Sequence, residues 1–490
     1  MALRGFQVTP PDDVEDTLRP RSKEKAGDRV ALPMARDQAD TTLYPKPPEG
    51  GGVRGGHLRI LLYLFLAVFA LVMLPLVRRH TDDGLLQQIG KNCALVAFSI
   101  LTLQVALAAR IKWIERPFGL DMTFRFHKAA ALLALGLLLL HVTLVSWGSG
   151  HWYLLTSLHV RWAVWLGRLA LLALATTVVI SFWRRKLDIE FESWRYLHNI
   201  LAVAVLSFGF VHSFVLGGDL NSPAMRIYWA AVLFSTALIY LFHKAVRPTR
   251  LRRHAYTVTD IRQEAPGIWT IHLTPPAGQD VYAYSPGQFH YVTFRRSKEL
   301  PVEEHPWSIS STPTRPGLAS TIKEMGDFTS TIGKTKVGDK ADIDGPYGRF
   351  SYLFYPEEDV LVFICGGIGI TPFLAMLRHM HDTGARKKVL LLWSNRKEQD
   401  ILAREEIRQI VQSGRPQLKV VLFLTKPSEG WQGERGRISK EAIAKYLELP
   451  IRRTVGAYVC CSPPMARDVI GALRDLGVPA ERIHDEGFSL

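Results

Sequence analysis

Six apolar stretches stand out along the first half of the chain, at about 58–77, 92–110, 126–147, 162–183, 196–216 and 224–246. Each is close to the roughly 20 residues that cross the hydrocarbon core of a bilayer. The second is the weakest, diluted by Lys91, Asn92 and Gln104. Upstream, residues 1–55 show no apolar period and are rich in Pro, Gly and mixed charge, which predicts a disordered tail. The first apolar run begins too far from Met1 for a cleavable signal peptide. Beyond residue 254 the period shortens. Alternating runs at 256–261, 269–273 and 289–294 predict strands separated by Gly and Pro turns. From about 357, strands at 359–365, 388–393, 418–424 and 457–461 alternate with helices at 372–381, 403–413 and a last one running to 474. That order predicts a parallel sheet with crossover helices. The chain is thus expected to be multidomain: tail (1–55), six-helix transmembrane bundle (56–248), antiparallel β domain (254–355) and α/β domain (356–490).

Charge supports the membrane reading. With 60 Lys and Arg against 45 Asp and Glu, the net charge is +15. Basic residues gather at alternate span ends: Arg110, Lys112, Arg116 and Arg125; then Arg184, Arg185, Lys186 and Arg195; then Lys244, Arg247, Arg250, Arg252 and Arg253. The opposite ends carry only Arg78, Arg79, Arg161 and Arg226. The richer side faces the cytoplasm, so both termini are expected inside. Topology accounts for much of the excess, and no nucleic-acid partner is expected. Four cysteines, Cys93, Cys365, Cys460 and Cys461, give no CxxC spacing for a zinc or iron–sulfur site.

Four histidines fall inside the spans. His127 and His141 lie in the third, His198 and His212 in the fifth, each pair fourteen residues apart. Fourteen residues are close to four helical turns and about 21 Å of rise, so both members share a face. Spans three and five run in the same direction. His127 therefore matches His198 in depth near the cytoplasmic side, and His141 matches His212 near the outer side. Two imidazoles at each level suit axial ligation of a haem iron with no open position, and two stacked haems would conduct electrons across the membrane. Metal-only sites are a weaker rival, since two His ligands make a poor zinc cage. Gly136, midway between the ligands of span three, admits either a porphyrin or ordinary small-residue packing. Arg168, inside span four, is expected to meet a haem propionate or to snorkel to the interface. Arg125, Lys128 and Arg195 are explained by topology and are also placed to meet inner propionates.

The C-terminal half carries an ordered set of motifs: His305-Pro306-Trp307-Ser308, then Lys323 to Thr329 with Gly326-Asp327-Phe328-Thr329, then Asp344-Gly345-Pro346-Tyr347-Gly348. Gly366-Gly367-Ile368-Gly369-Ile370-Thr371-Pro372 and Cys460-Cys461-Ser462-Pro463 follow. In this order they resemble the ferredoxin–NADP reductase superfamily. With the upstream histidines, the closer resemblance is to the ferric reductase and NADPH oxidase family, over about residues 58–490. The resemblance implies a β-barrel FAD domain and an NAD(P)H-binding α/β domain behind a bundle holding two b-type haems. It assigns FAD contacts to His305, Pro306, Trp307 and Ser308, with Ser308 at the flavin N5. Lys323, Gly326 and Thr329 serve the FAD pyrophosphate. Gly366, Gly367, Gly369, Thr371 and Pro372 form the nucleotide loop and the first turn of its helix. Cys461 corresponds to the cysteine near the nicotinamide C4, although Ser462-Pro463 replaces the usual Gly-Pro. Phe488 corresponds to the terminal aromatic that covers the flavin. Ser394 and Arg396 are placed to hold a 2′-phosphate, and no acidic residue sits at that strand end, so NADPH is favoured over NADH.

The function implied is transmembrane electron transfer from cytoplasmic NADPH through FAD and two haems to an outer small-molecule acceptor. Dioxygen, giving superoxide, is the expected acceptor; ferric chelate is the alternative, then a partner enzyme. A channel or transporter with a regulatory nucleotide domain is the reading from another class, and it predicts a colourless protein.

Overall fold

The computed structural model describes residues 53–77, 83–447 and 455–487. The tail expected over 1–55 lies outside these residues, apart from its last three positions, as do Arg78, Arg79 and Phe488. The described residues form two compact units, 50–248 and 249–490, at the level of whole segments.

The first unit contains six helices long and apolar enough to cross a membrane: Gly56–Pro75, Leu85–Ala108, Leu120–Ser149, Trp162–Trp183, Phe191–Leu216 and Pro223–Arg253. Each overlaps one predicted stretch. The second differs from the rest, because half of its most apolar window is buried inside the bundle where the others bury 17% or less. Part of its polar character is thereby explained: Gln104, with Ser99 and Thr102, faces protein and not lipid. Alanines let it approach its neighbours, with Ala97 packed among Ala67, Ala130 and Ala134. Large side chains face outward along the other spans, as lipid allows. Exposed tryptophans mark both ends: Trp147, Trp152 and Trp162 at one, Trp113 and Trp183 at the other. The last helix runs longer than the predicted 224–246. It passes through a π-turn at Phe242–Val246 and on to Arg247–Arg253. Pro248 has no N–H for the carbonyl of Lys244, which is a local reason for a wider turn.

The second unit holds two six-stranded sheets. The first is antiparallel: β1 (Tyr256–Ala265), β2 (Ile268–Thr274), β3 (Phe289–Arg295), β4 (Glu304–Ser308), β5 (Leu318–Lys323) and β6 (Lys340–Tyr347), in the order β4-β3-β6-β1-β2-β5. Its interior is filled by Val258, Ile271, Val292, Phe294 and Ile322. The second sheet is parallel: β7 (Val360–Gly366), β8 (Lys388–Asn395), β9 (Gln417–Leu424), β10 (Glu434–Arg435), β11 (Val455–Cys460) and β12 (Ile483–Asp485). Helices α1 (Thr371–Asp382), α2 (Arg404–Ser413), α3 (Lys440–Tyr446) and α4 (Pro463–Asp475) flank it. The order β10-β9-β8-β7-β11-β12 reverses at β7, so the ends of β7 and β11 form a topological switch point, where such sheets bind ligands.

Candidate functional site

Inside the bundle, spans three and five bring the four histidines to two levels. At one level the rings of His127 and His198 have centres 6.3 Å apart, with 45° between their planes. A metal–imidazole bond of about 2 Å, with the ring centre about 1 Å behind the nitrogen, places two trans imidazoles about 6 Å apart. The observed spacing therefore fits one iron between them. Both Nδ1 atoms are buried without a hydrogen-bond partner. Trp194 packs 5.3 Å from the His198 ring.

At the level of His141 and His212 the ring orientation is fixed by backbone. Nδ1 of His141 donates to the Gly90 carbonyl at 3.0 Å, and Nδ1 of His212 donates to the Ala163 carbonyl at 2.7 Å. A carbonyl only accepts, so each Nδ1 carries the proton and each Nε2 keeps its lone pair, the form that ligates metal. Gly167 completes the seat, since a Cβ there would lie 2.6 Å from the His212 ring. Sequence reasoning missed Gly90, Ala163 and Gly167, because their roles depend on packing between spans. Gly136 has open space where a Cβ would project, as a cradle for a flat group requires. Arg168 takes the interfacial alternative: it donates to the carbonyls of Leu154 (2.6 Å) and Ser157 (2.8 Å), so it does not reach inward. Arg195 pairs with Glu192 at 2.5 Å. No group of three or more His, Cys, Asp or Glu able to hold a metal ion occurs among the described residues.

In the antiparallel sheet, β4 carries His305, Pro306, Trp307 and Ser308. Alternation puts His305 and Trp307 on one face, with ring centres 5.8 Å apart and 22° between planes. Phe328 closes this wall at 4.3 Å from His305, and Glu303 accepts from His305 at 2.9 Å. Trp307 packs against Phe294 of the barrel interior, so part of its ring is engaged by protein. Ser308 is buried. In the turn after β5, the hydroxyl of Thr329 accepts from the N–H groups of Met325 (2.8 Å) and Gly326 (2.9 Å) and donates to the Gly326 carbonyl at 3.2 Å, so it also shapes the loop.

The glycine loop leaves β7 and opens α1 at the switch point. A Cβ on Gly369 would meet the Cys460 carbonyl at 2.1 Å, and Gly367 sits at φ +52°, so neither tolerates a side chain without strain. Trp393 Nε1 donates to the Gly367 carbonyl at 3.0 Å. Thr371 donates to Ile368, and Pro372 occupies the first turn of α1, where no N–H is needed. Cys461 follows β11 beside Gly366, and burial pushes its thiol up to about 12, so it remains a neutral S–H at physiological pH. A cavity of about 230 Å³ joins Lys323, Gly367, Ser394, Arg396 and Asp400. The expected loop and 2′-phosphate residues thus converge with Lys323 from the other sheet. The strand end itself carries no acid, but a 3₁₀ turn at Glu398–Asp400 brings Asp400 to the same cavity, where it accepts from the Lys397 N–H at 3.0 Å, so the cavity is not free of acid.

Three families of known proteins match parts of the chain. A family described as ferric reductase like transmembrane component matches residues 93–209. An FAD-binding domain matches 267–351, and an oxidoreductase NAD-binding domain matches 363–470. The chain carries the domain architecture of ferric reductase and NADPH oxidase-like proteins, with the FAD- and NAD-binding domains of an oxidoreductase. Among curated proteins it is 32% identical to the reductase subunit of stachydrine N-demethylase from Rhizobium meliloti, over 46% of this chain and 64% of that protein. It is also 32% identical to NADH-cytochrome b5 reductase 1 of Mycosarcoma maydis, over 32% of this chain and 49% of that protein. The matched region thus spans about half to two thirds of these relatives. Among solved structures, a flavohemoglobin from Malassezia yamatoensis aligns over 71% of this chain and 94% of its own, with TM-score 0.44 and 19% identity.

Proposed function

We propose that the protein moves electrons from cytoplasmic NADPH, through FAD and two haems, to an acceptor on the outer face, with dioxygen giving superoxide as the preferred outcome and ferric chelate as the alternative. The proposal retains the division into bundle (56–248), FAD barrel (254–355) and nucleotide domain (356–490), with both termini cytoplasmic in a plasma or inner membrane. NADH remains a usable donor. The observation that carries the reading is the stack of two histidine pairs, one spaced for a shared iron and the other held by carbonyls in the ligating tautomer. When bound, FAD supplies the step from hydride to single electrons and the haems supply one-electron conduction. His127 and His198 hold the inner haem, His141 and His212 the outer. Trp307, Ser308, His305 and Pro306 seat the flavin, with Lys323 and the Gly326 turn near its phosphates. The glycine loop holds the nucleotide pyrophosphate at a helix N-terminus. Cys461 offers a neutral, polarisable contact to the nicotinamide ring, and Phe488 covers the flavin when that ring is absent.

Purified full-length protein, supplied with FAD and NADPH under argon, should show reduction of a haem Soret band and two irons per polypeptide. Admitted oxygen should then give reporter reduction sensitive to superoxide dismutase; insensitivity, with rapid reduction of ferric citrate, selects the ferric alternative. His198→Ala should lose the inner haem while NADPH–flavin exchange survives. A colourless protein would overturn the reading in favour of a transporter.

A further inference from the structure

Behind Ser308 the chain turns through residues 309–317 before entering β5, and this turn is gripped by the nucleotide-binding sheet's own helices. Arg378 of α1 donates from one guanidinium nitrogen to the Ser310 carbonyl at 2.6 Å. Its other two nitrogens meet Glu406 of α2 as a fork, at 2.9 and 2.6 Å. Arg315 of the turn makes a second fork to Asp382 at the end of α1, at 2.9 and 2.6 Å, and lies 3.7 Å from Glu406. Thr314 also donates to Asp382. The order is therefore Ser310 carbonyl, Arg378, Glu406, Arg315, Asp382: alternating charges across the two sheets' boundary. Burial acts to raise the Glu406 carboxyl, but hydrogen bonds from Arg378 outweigh it and hold the group below its ordinary value. Arg315 is held above its ordinary value by Asp382.

We infer that this network is a positioning device for hydride transfer, with Arg378 as its central residue. The inference rests on the proposed NADPH–flavin step. The nicotinamide is carried by the α1 side and the flavin by the β4 side, so their mutual placement is set by whatever joins α1 to the turn after β4. Arg378 makes that join directly: it lies on the helix that the glycine loop opens, and it holds a carbonyl two residues beyond Ser308. Guanidinium forks fix direction as well as distance, which a lysine point charge does not. Misplacement by about 1 Å is enough to slow a reaction about 100-fold. None of these side chains reaches the cavity containing Ser394 and Arg396, so the network acts on alignment and not on nucleotide capture.

The test is anaerobic stopped-flow reduction of FAD by NADPH in the full chain, comparing Arg378→Met, Arg378→Lys and Glu406→Gln with the parent. Arg378→Met should lower the limiting rate about 10- to 100-fold, with the NADPH dissociation constant changed less than about threefold and the isotope effect from deuterated nicotinamide increased. Arg378→Lys should recover only part of the rate, and Glu406→Gln should fall between. Hydrogen exchange in residues 309–317 should lose protection in Arg378→Met whether or not NADPH is the donor, which separates this inference from the proposed function. An unchanged limiting rate, or unchanged exchange in that turn, overturns it. Should Arg378→Met fail to retain FAD, Glu406→Gln carries the same two readouts.

Discussion

At the end of β8, opposite charges share one cavity. Arg396 is suited to a 2′-phosphate, and Asp400, three residues into the next turn, is suited to a free ribose hydroxyl. A charge-assisted hydrogen bond is worth about 1.5–3 kcal/mol, roughly 10- to 100-fold in affinity. Arg396→Ala should therefore reduce kcat/KM for NADPH by about that factor while changing NADH little. Asp400→Asn should shift preference towards NADPH. Steady-state kinetics with both nucleotides check this, and an equal loss with both would remove Arg396 from phosphate recognition. Arg396 was legible because it continues a predicted strand. Asp400 was not, because a short 3₁₀ turn returns it to the strand end. Thr329 has a second role that the Gly-Asp-Phe-Thr run does not reveal: its hydroxyl accepts from two N–H groups of its own turn.

Among elements, spans four and five meet where Gly167 faces His212. The Ala163 carbonyl, one turn earlier on span four, takes the ring's Nδ1 proton, and Gly167 leaves room for the ring edge. One helix thus supplies both the anchor and the clearance for an imidazole on another. Gly167→Val should push the imidazole from its seat and lower iron from two per chain to one, leaving the His127–His198 level intact. Iron quantitation and low-spin electron paramagnetic resonance read this directly; retention of both signals would show that the seat has slack. The spans and the βα alternation were legible because their periods are long and uninterrupted. The short strands β4, β5 and β6 were not predicted: their burial follows cross-strand neighbours, as where Pro306 lies opposite Tyr291 and His305 opposite Val292. The carbonyl anchors were invisible for a deeper reason, since every residue offers a carbonyl and only the crossing of helices selects one.

For the molecule as a whole, basic residues and tryptophans define two faces. If Arg184, Arg185 and Lys186 lie in the cytoplasm, His151 lies outside. In intact cells a membrane-impermeant maleimide should label His151→Cys and spare Lys186→Cys, in a background with Cys93 replaced by Ser. Reversed labelling would overturn the proposed direction of electron transfer. This orientation is an expectation from positive-inside counting, which depends on composition at loop ends and not on packing.

The half-buried second span has a bearing on biogenesis. Gln104 keeps both amide atoms inside the bundle without a hydrogen-bonding partner, and Ser99 and Thr102 turn to their own helix backbone. A nascent chain halted just after this segment would expose that polar stripe to acyl chains. Settlement of the segment must then wait until later ones emerge from the ribosome to enclose it, and a truncated N-terminal fragment should be a poor resident of the bilayer and a ready target for quality-control proteolysis.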